Sequence, residues 1–400
     1  MKIMSINAGS SSLKFSLFEM NTKECIASGY FERVGLDGSF YTIKYNGEKI
    51  REEVAMPNHT VAVEVLLERL ISIGIISSLD EIDGIGHRLV HGGDKYKTSV
   101  MITDEVVEDL RKYSDLAPLH NPANILGIEA VRKALPNVPM VGVFDTAFHQ
   151  TMEKKEYIYP VPYEWYTNYG VRKYGFHGTS HCYISKQIPR ILGRDTYKAI
   201  ICHLGSGGSI SAVKDGKCVD TTMGFTPLAG IMMGTRSGDI DYTLISYAMK
   251  KTGYNLEKID SMLNRESGLE GVAGMSDLRD LDRAFEAGEE KVKLAFDMYT
   301  NKIVDYIAKY YVKLNGQVDA ICFTAGGGEN DSIIRGETLK KLTSLGIILD
   351  SEKNDRMIVR KGNEGIITTD NSSIPVYVVA TDEELMIARD AYSFIDSTEE

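Results

Sequence analysis

The chain lacks the features of several protein classes. None of its apolar runs approaches the roughly 18–20 residues of a membrane span. The N-terminus, Met1-Lys2-Ile3-Met4-Ser5-Ile6-Asn7, has no apolar stretch long enough for a secretory leader, so the expectation is a cytoplasmic protein. Only ten prolines occur in 400 residues, with no Pro-rich or Ser-rich tract to act as a linker. Positive charge is in deficit: 45 Lys and Arg against 56 Asp and Glu give a net charge of −11. Such a chain is a poor generic ligand for nucleic acid or anionic membrane. The five cysteines, Cys25, Cys182, Cys202, Cys218 and Cys322, are odd in number and form no CxxC pair; buried, reduced thiols are expected. No G-x-x-x-x-G-K-[ST] is present, and Gly326-Gly327-Gly328 does not complete G-x-G-x-x-G. None of the eight histidines lies beyond His203.

What is present is ordinary globular material, 43% apolar and 25% charged, enough for two or three domains. Residues 2–7 read as a strand, Gly9 to Ser12 as a tight turn, and Leu13, Phe15 and Leu17 as an alternating second strand. A similar unit recurs with Gly205 standing 196 residues after Gly9: strand 199–203, turn 205–209, exit strand and an Asp215-Gly216 turn. The offset points to two duplicated halves. A third glycine cluster, 326–328, follows the apolar run 318–323. Helical spacing marks 61–73 and 291–311. The C-terminus fits a capping box with Thr381 as N-cap and Glu384 at N3. Strands alternating with helices make an α/β protein.

Glycine turns after buried strands let backbone N–H groups approach phosphate. Each alone is a plain hairpin turn; three together favour a nucleotide. Lys14 flanks the first turn with parity opposite to Leu13 and Phe15. Arg88 and Arg236 sit among glycines, suited to a two-pronged grip on phosphate or carboxylate; a loop ion pair is the structural alternative for each. His177 and His181 have the i, i+4 spacing of a metal pair. Gly178 and a helix start at Thr179-Ser180 instead suit His177 to donating towards developing phosphate charge.

These motifs together carry a resemblance. The chain resembles the acetate kinase family, within the acetate and sugar kinase, Hsp70 and actin superfamily. The match runs nearly end to end: 7–14, 87–93, 144–149, 174–181, 203–209, 233–239, Glu329-Asn330 and Glu383-Glu384. The resemblance implies two duplicated actin-like (ribonuclease H-like) domains with an interdomain cleft. They would be 1–148 plus 381–400, closed by the C-terminal helix, and 149–380, which binds nucleotide. It implies a homodimer that transfers the ATP γ-phosphoryl reversibly to acetate with Mg²⁺, or Mn²⁺, giving acetyl phosphate and ADP by in-line displacement. Domain closure would exclude water. By position, Asn7 and Glu383 would support the metal, Glu383 being preferred because the capping box occupies Glu384. Lys14 and His203, Leu204, Gly205, Ser206 and Gly207 would contact ATP phosphates. Asp277, Leu278 and Arg279, with Gly326, Gly327, Gly328, Glu329 and Asn330, would hold the nucleoside. Arg88 and Arg236 would bind acetate and the moving phosphoryl group; His177 would stabilise the transition state and Asp145 would assist. Val90, Leu119, Phe176 and Pro227 would surround the acetate methyl.

Three positions depart from the family pattern. Ser206 replaces an Asn in the second phosphate turn, which shortens its reach. Asp382 replaces an Asn before the two glutamates, adding negative charge beside the metal. Gly327 stands where Ile is frequent and loosens the adenosine turn. The alternative functions are a propionate or butyrate kinase, an actin-like protein that uses ATP as a switch, and a pyrophosphate-dependent relative. The switch would have no need of Arg88, His177 and Arg236.

Overall fold

The computed structural model describes residues 1–397. They form two compact units: Met1–Phe148 with the chain from Asp382 onward, and His149–Thr381.

The first unit is an eight-stranded sheet: β1 (Lys2–Gly9), β2 (Ser12–Glu19), β3 (Glu24–Glu32), β4 (Phe40–Tyr45), β5 (Glu48–Glu53), β6 (Gly84–Leu89), β7 (Val100–Met101) and β8 (Met140–Phe144). Their spatial order is β5-β4-β3-β2-β1-β6-β8-β7. Neighbours from β1 to β5 are antiparallel, whereas β1, β6 and β8 run parallel. In the first hairpin Leu13, Phe15 and Leu17 are buried and Lys14 is exposed, as alternation predicts, but Ser16 and Phe18 are buried as well, so β2 is covered on both faces beyond Lys14. Helix His59–Ser72 is opened by Asn58, whose side chain accepts from Val61 N. It packs with helix Asn121–Ala134 in one core with Ile85 of β6. Gly84 and Gly86 point to the other face of β6, where helix Glu383–Asp396 lies. A Cβ on Gly86 would sit 2.5 Å from Ile387 Cγ2, and one on Gly84 2.1 Å from Ile395 Cδ1. Only glycine lets this helix seat so closely.

The second unit has six strands: β9 (Lys198–Leu204), β10 (Gly208–Lys214), β11 (Lys217–Thr221), β12 (Ala320–Thr324), β13 (Gly365–Ile366) and β14 (Val376–Val378). Their order is β11-β10-β9-β12-β14-β13. Antiparallel β11-β10-β9 followed by parallel β9, β12 and β14 repeats the order β3-β2-β1-β6-β8 of the first unit. The spacing of Gly9 and Gly205 therefore marks a duplicated actin-like sheet. Helix Glu290–Lys313 buries Val292, Ala295, Phe296, Tyr299, Ile303, Ile307 and Tyr310 at helical spacing, and leaves Tyr306 half-buried.

Two expectations need correction here. Cys25 is exposed and Cys182 half-buried; only Cys202, Cys218 and Cys322 are core thiols, and none of the five forms a disulfide. The C-terminal helix is not a capping box on Thr381. Asp382 is the N-cap and its carboxylate accepts from Leu385 N at 2.8 Å, while the Thr381 hydroxyl lies 2.8 Å from Ser180 Oγ. Both residue types cap helices; the threonine is already engaged.

Candidate active site

In the first unit the chemistry gathers at the ends of the central strands. Arg88, near the end of β6, meets Asp145, just past β8. Nε is 3.2 and 3.1 Å from the two carboxylate oxygens and Nη2 is 2.7 Å from Oδ2. Asp145 is 2% exposed and the Arg88 side chain 26%. The buried carboxylate raises the already high pKa of the guanidinium, which stays charged. Nη1 has no acceptor among the described residues, so one prong of the fork remains open. Val90, two residues on, is buried, and its N–H donates to Asn124 Oδ1. Leu119 is 63% exposed before helix Asn121–Ala134.

Glu383 is the first residue of the C-terminal helix. Burial, with Asp145 and Glu384 nearby, pushes its carboxyl up to about 7, opposed by Arg88 and Lys14. Asn7 of β1 stands directly across from Lys14 of β2. The argument that preferred Glu383 is overturned, since Glu384 is not in a capping box. Glu383 is half-buried and Glu384 is exposed.

In the second unit the Gly205–Gly207 turn joins β9 to β10. Its backbone closes through Gly205 N–H donating to Gly207 O, and Gly234 N–H donates to Ser206 O. His177, Arg236 and Gly207 converge. A Cβ on Gly207 would lie 3.2 Å from Arg236 Nη1 and 3.5 Å from both Cε1 and Nε2 of His177, so an added side chain would fill the space between the two rings of charge and polarity. Arg236 is half-buried and donates to Pro227 O at 3.2 Å. No carboxylate neutralises it among the described residues, and burial lowers its pKa. His177 has left-handed backbone, φ 57°, immediately before helix Gly178–Leu192. Such a conformation costs a non-glycine residue about 1–3 kcal/mol and is characteristic of functional sites. The His203 ring stacks on His177 at 4.1 Å and its Nδ1 is 2.7 Å from Ser180 Oγ. Phe176 is buried, and its carbonyl accepts from His149 Nε2.

The third glycine cluster is helical, not a turn. Residues Ala325–Asn330 form a short helix after β12. Consecutive glycines disfavour helix, but the Glu329 carboxylate holds this one by accepting from Ala325 N, Thr324 Oγ1 and Thr381 N. Glu329 is thus occupied within the protein, as is Asn330, which donates to Gly326 O and accepts from Arg360 N. Gly327 does not loosen this segment: a Cβ there would stand 2.9 Å from both Leu204 O and Leu278 Cδ1. Leu204, Leu278 and Gly327 therefore share one wall. Asp277 caps helix Leu278–Glu286 by accepting from Arg279 N, and its carboxylate also takes the Arg279 guanidinium at 3.0 and 2.7 Å. Asp282 of the same helix and Asp331, the N-cap of helix Ser332–Lys340, face one another. Each has a buried oxygen with no N–H or O–H donor, and burial with mutual repulsion raises Asp282 to about 7. One proton shared between them satisfies both.

The sequence reading did not single out Ser209 and Ser211 of β10. Ser209 Oγ lies against both His177 and His181, and Ser211 Oγ against His181. The signal was an i, i+2 serine pair on a strand beside an i, i+4 histidine pair on a helix.

A profile of the Acetokinase family matches residues 2–389. The acetate kinase of Geobacillus sp. (strain WCH70) is 53% identical over 392 residues, 97% of this chain and 98% of the relative. The crystal structure of Porphyromonas gingivalis acetate kinase superposes with TM-score 0.93 at 44% identity, covering 98% of this chain and 99% of that one. A propionate kinase from Francisella tularensis subsp. tularensis SCHU S4 gives TM-score 0.93 at 39% identity, with the same coverage.

Proposed function

We infer that this chain, which belongs to the acetokinase family, is an ATP:acetate phosphotransferase that moves the γ-phosphoryl group reversibly between ATP and acetate. The observation that carries this reading is the convergence of unneutralised Arg236 and His177 Nε2 on Gly207, in a chain matched to the family almost throughout.

Phosphoryl transfer asks mainly for positioning and charge neutralisation. Acetate is an anion at neutral pH and needs no general base. The obstacle is bringing a carboxylate towards a polyanion. In this reading Arg88, steered by Asp145, offers its open prong to acetate, and Arg236 takes the charge of the moving group. The turn 205–207 presents backbone N–H groups to the ATP phosphates, with Lys14 adding charge. His177 Nε2 donates to the transition state. Val90, Phe176 and Pro227 line the methyl, with Leu119 available from its exposed turn. Leu278 and the backbone of 326–328 hold the nucleoside, since Asp277, Glu329 and Asn330 are engaged elsewhere.

A divalent cation fits the donor set. Magnesium takes one or two protein carboxylates and fills its shell with water and phosphate. Glu383, a carboxyl burdened by Asp145 and Glu384, and Asn7 would hold it. When bound, the ion supplies charge neutralisation at the phosphate oxygens.

We also propose a cytoplasmic homodimer. No described helix is long and apolar enough to cross a membrane. Helix Thr243–Thr252 buries none of its residues, and Tyr242, Leu244 and Tyr247 are all exposed. A second copy would cover them.

The test is a hydroxamate assay with acetate, propionate and butyrate in parallel, and pyrophosphate replacing ATP in one arm. Acyl hydroxamate formed fastest with acetate, and only with ATP and magnesium, supports the reading. No acyl phosphate from any acid, in protein that binds ATP, refutes it. One methylene is worth about 1–3 kcal/mol in an apolar pocket, so slower turnover of propionate accords with it.

A further inference from the structure

Ser209 and Ser211 are alternate residues of β10, so their side chains share one face, and both are fully buried. His177 and His181 present their rings to that face. Ser209 Oγ is 2.9 Å from His177 Nδ1 and 2.8 Å from His181 Nε2. Ser211 Oγ is 2.7 Å from His181 Nδ1. A hydroxyl has one proton to give, so Ser209 donates to one ring and accepts from the other.

The buried end sets the direction. His181 Nδ1 is the one hydrogen-bond partner of Ser211 Oγ among the described residues. A buried hydroxyl without an acceptor costs about 1–3 kcal/mol, so Ser211 donates to His181 Nδ1. His181 is neutral, because burial and the neighbouring His149 and His203 hold its pKa well below the usual value. Its proton is therefore on Nε2 and goes to Ser209. Ser209 in turn donates to His177 Nδ1. His177 is left with its proton on Nε2, the atom nearest Gly207.

We propose that Ser211, His181 and Ser209 are positioning residues that fix the tautomer of His177 and keep it neutral, so that Nε2–H always points a donor at the phosphate turn. The proposal rests on the role of His177 given above. A second proton at His177 Nδ1 would have to be donated to Ser209. That reverses every bond in the relay and leaves the Ser211 proton without an acceptor. The groups facing His177 and His181 add to the resistance: Arg236 across Gly207 is a fixed cation, and the His203 and His149 rings stand at 4.1 Å from His177 and 5.5 Å from His181 respectively.

The direct test is ¹⁵N NMR of the histidine side chains in wild-type protein, which needs no variant to fold. The expected spectrum shows His177 and His181 as neutral Nε2–H tautomers throughout pH 6 to 8. An Nδ1–H signature at either ring, or His177 titrating near the ordinary value of about 6.5, overturns the proposal. In Ser211→Ala the His177 ring should take up its second proton at a pH about one unit higher in the same kind of spectrum, the equivalent of the orphaned hydroxyl, while Nε2 keeps its proton in both forms. KM for ATP and acetate should stay within about twofold, uniform binding being untouched. Ser211→Thr, which keeps the hydroxyl, should restore the wild-type titration. An unmoved His177 titration in Ser211→Ala, or the same shift in Ser211→Thr, is equally fatal. The spectrum reads the relay and the rate of His177→Ala reads the catalytic role, so failure of one is distinguishable from failure of the other.

Discussion

Arg88 and Asp145 form a forked ion pair with contacts of 2.7 to 3.2 Å in which the carboxylate is buried and the guanidinium reaches the surface. Asp145 therefore acts as an orienting group: it fixes the plane of the fork and directs the open prong outward. Asp145→Asn keeps the shape but loses the charge that holds Nε and Nη2 together. Misplacing a reacting group by about 1 Å can cost about 10²-fold, and a loss of that order in kcat/KM for acetate is expected, with KM for ATP little changed. Steady-state kinetics varying each substrate will show it; near-full activity would mean that the charge is dispensable.

Arg236 has the opposite environment, half-buried with no carboxylate. Arg236→Ala should lower kcat by at least about 10³, the lower end for a transition-state arginine. Lysine cannot reproduce the fork, so Arg236→Lys should recover little. A loss under tenfold would remove Arg236 from the transfer step.

Gly207→Ala tests the convergence itself. The added methyl would stand 3.2 Å from Arg236 Nη1 and 3.5 Å from the His177 ring. Neither group can retreat without leaving the turn. A fall in kcat of about 10², with an unchanged melting temperature, is the expected outcome in paired kinetic and thermal assays.

The Asp282–Asp331 pair predicts a pH dependence of stability. Unfolded, Asp282 titrates near 3.9; folded, it titrates at about 7. Between those values the native protein holds a proton that the unfolded chain has released, so this contribution to stability falls as pH rises through the window and levels off above it. Asp282→Asn supplies an N–H donor to Asp331 at every pH. The wild-type advantage in melting temperature over Asp282→Asn should shrink from pH 5 to 7.5 and then stay flat. A difference that does not vary with pH would show that no proton is shared.

If a second copy covers helix Thr243–Thr252, Leu244→Glu should shift the protein from dimer to monomer in light scattering after gel filtration. A wild-type monomer, or a variant that stays dimeric, would move the interface elsewhere or abolish it.

The duplicated hairpins were legible because Gly and Ser turns between alternating apolar residues leave few other conformations. The long helices were legible for the same kind of reason: 291–311 repeats its apolar residues at 3.6 spacing, and Glu290–Lys313 follows. Segment 325–330 was misread because its glycines argue against helix; what stabilises it is Glu329 folding back on Ala325 N, which no local pattern reveals. The C-terminal cap was misread by one residue because Thr381 and Asp382 are equally good caps in sequence, and only the Thr381 contact with Ser180 decides between them. The serine–histidine relay was hidden because Ser209 and Ser211 sit in a strand whose apolar neighbours read as core. The arginines stood out, since glycine on both sides gives a charged side chain nothing local to pack against.

Helix Glu383–Asp396 seats on Gly84 and Gly86 of a sheet whose strands all precede residue 145. On the ribosome, chain emerges at about 5–20 residues per second, so more than two hundred residues of other structure are made before this helix exists. Until then, the groove over β6 is bare and Glu383 is not yet in place. A product interrupted before this helix would carry Arg88 and Asp145 but no Glu383, so the arrival of that carboxyl is coupled to the covering of β6.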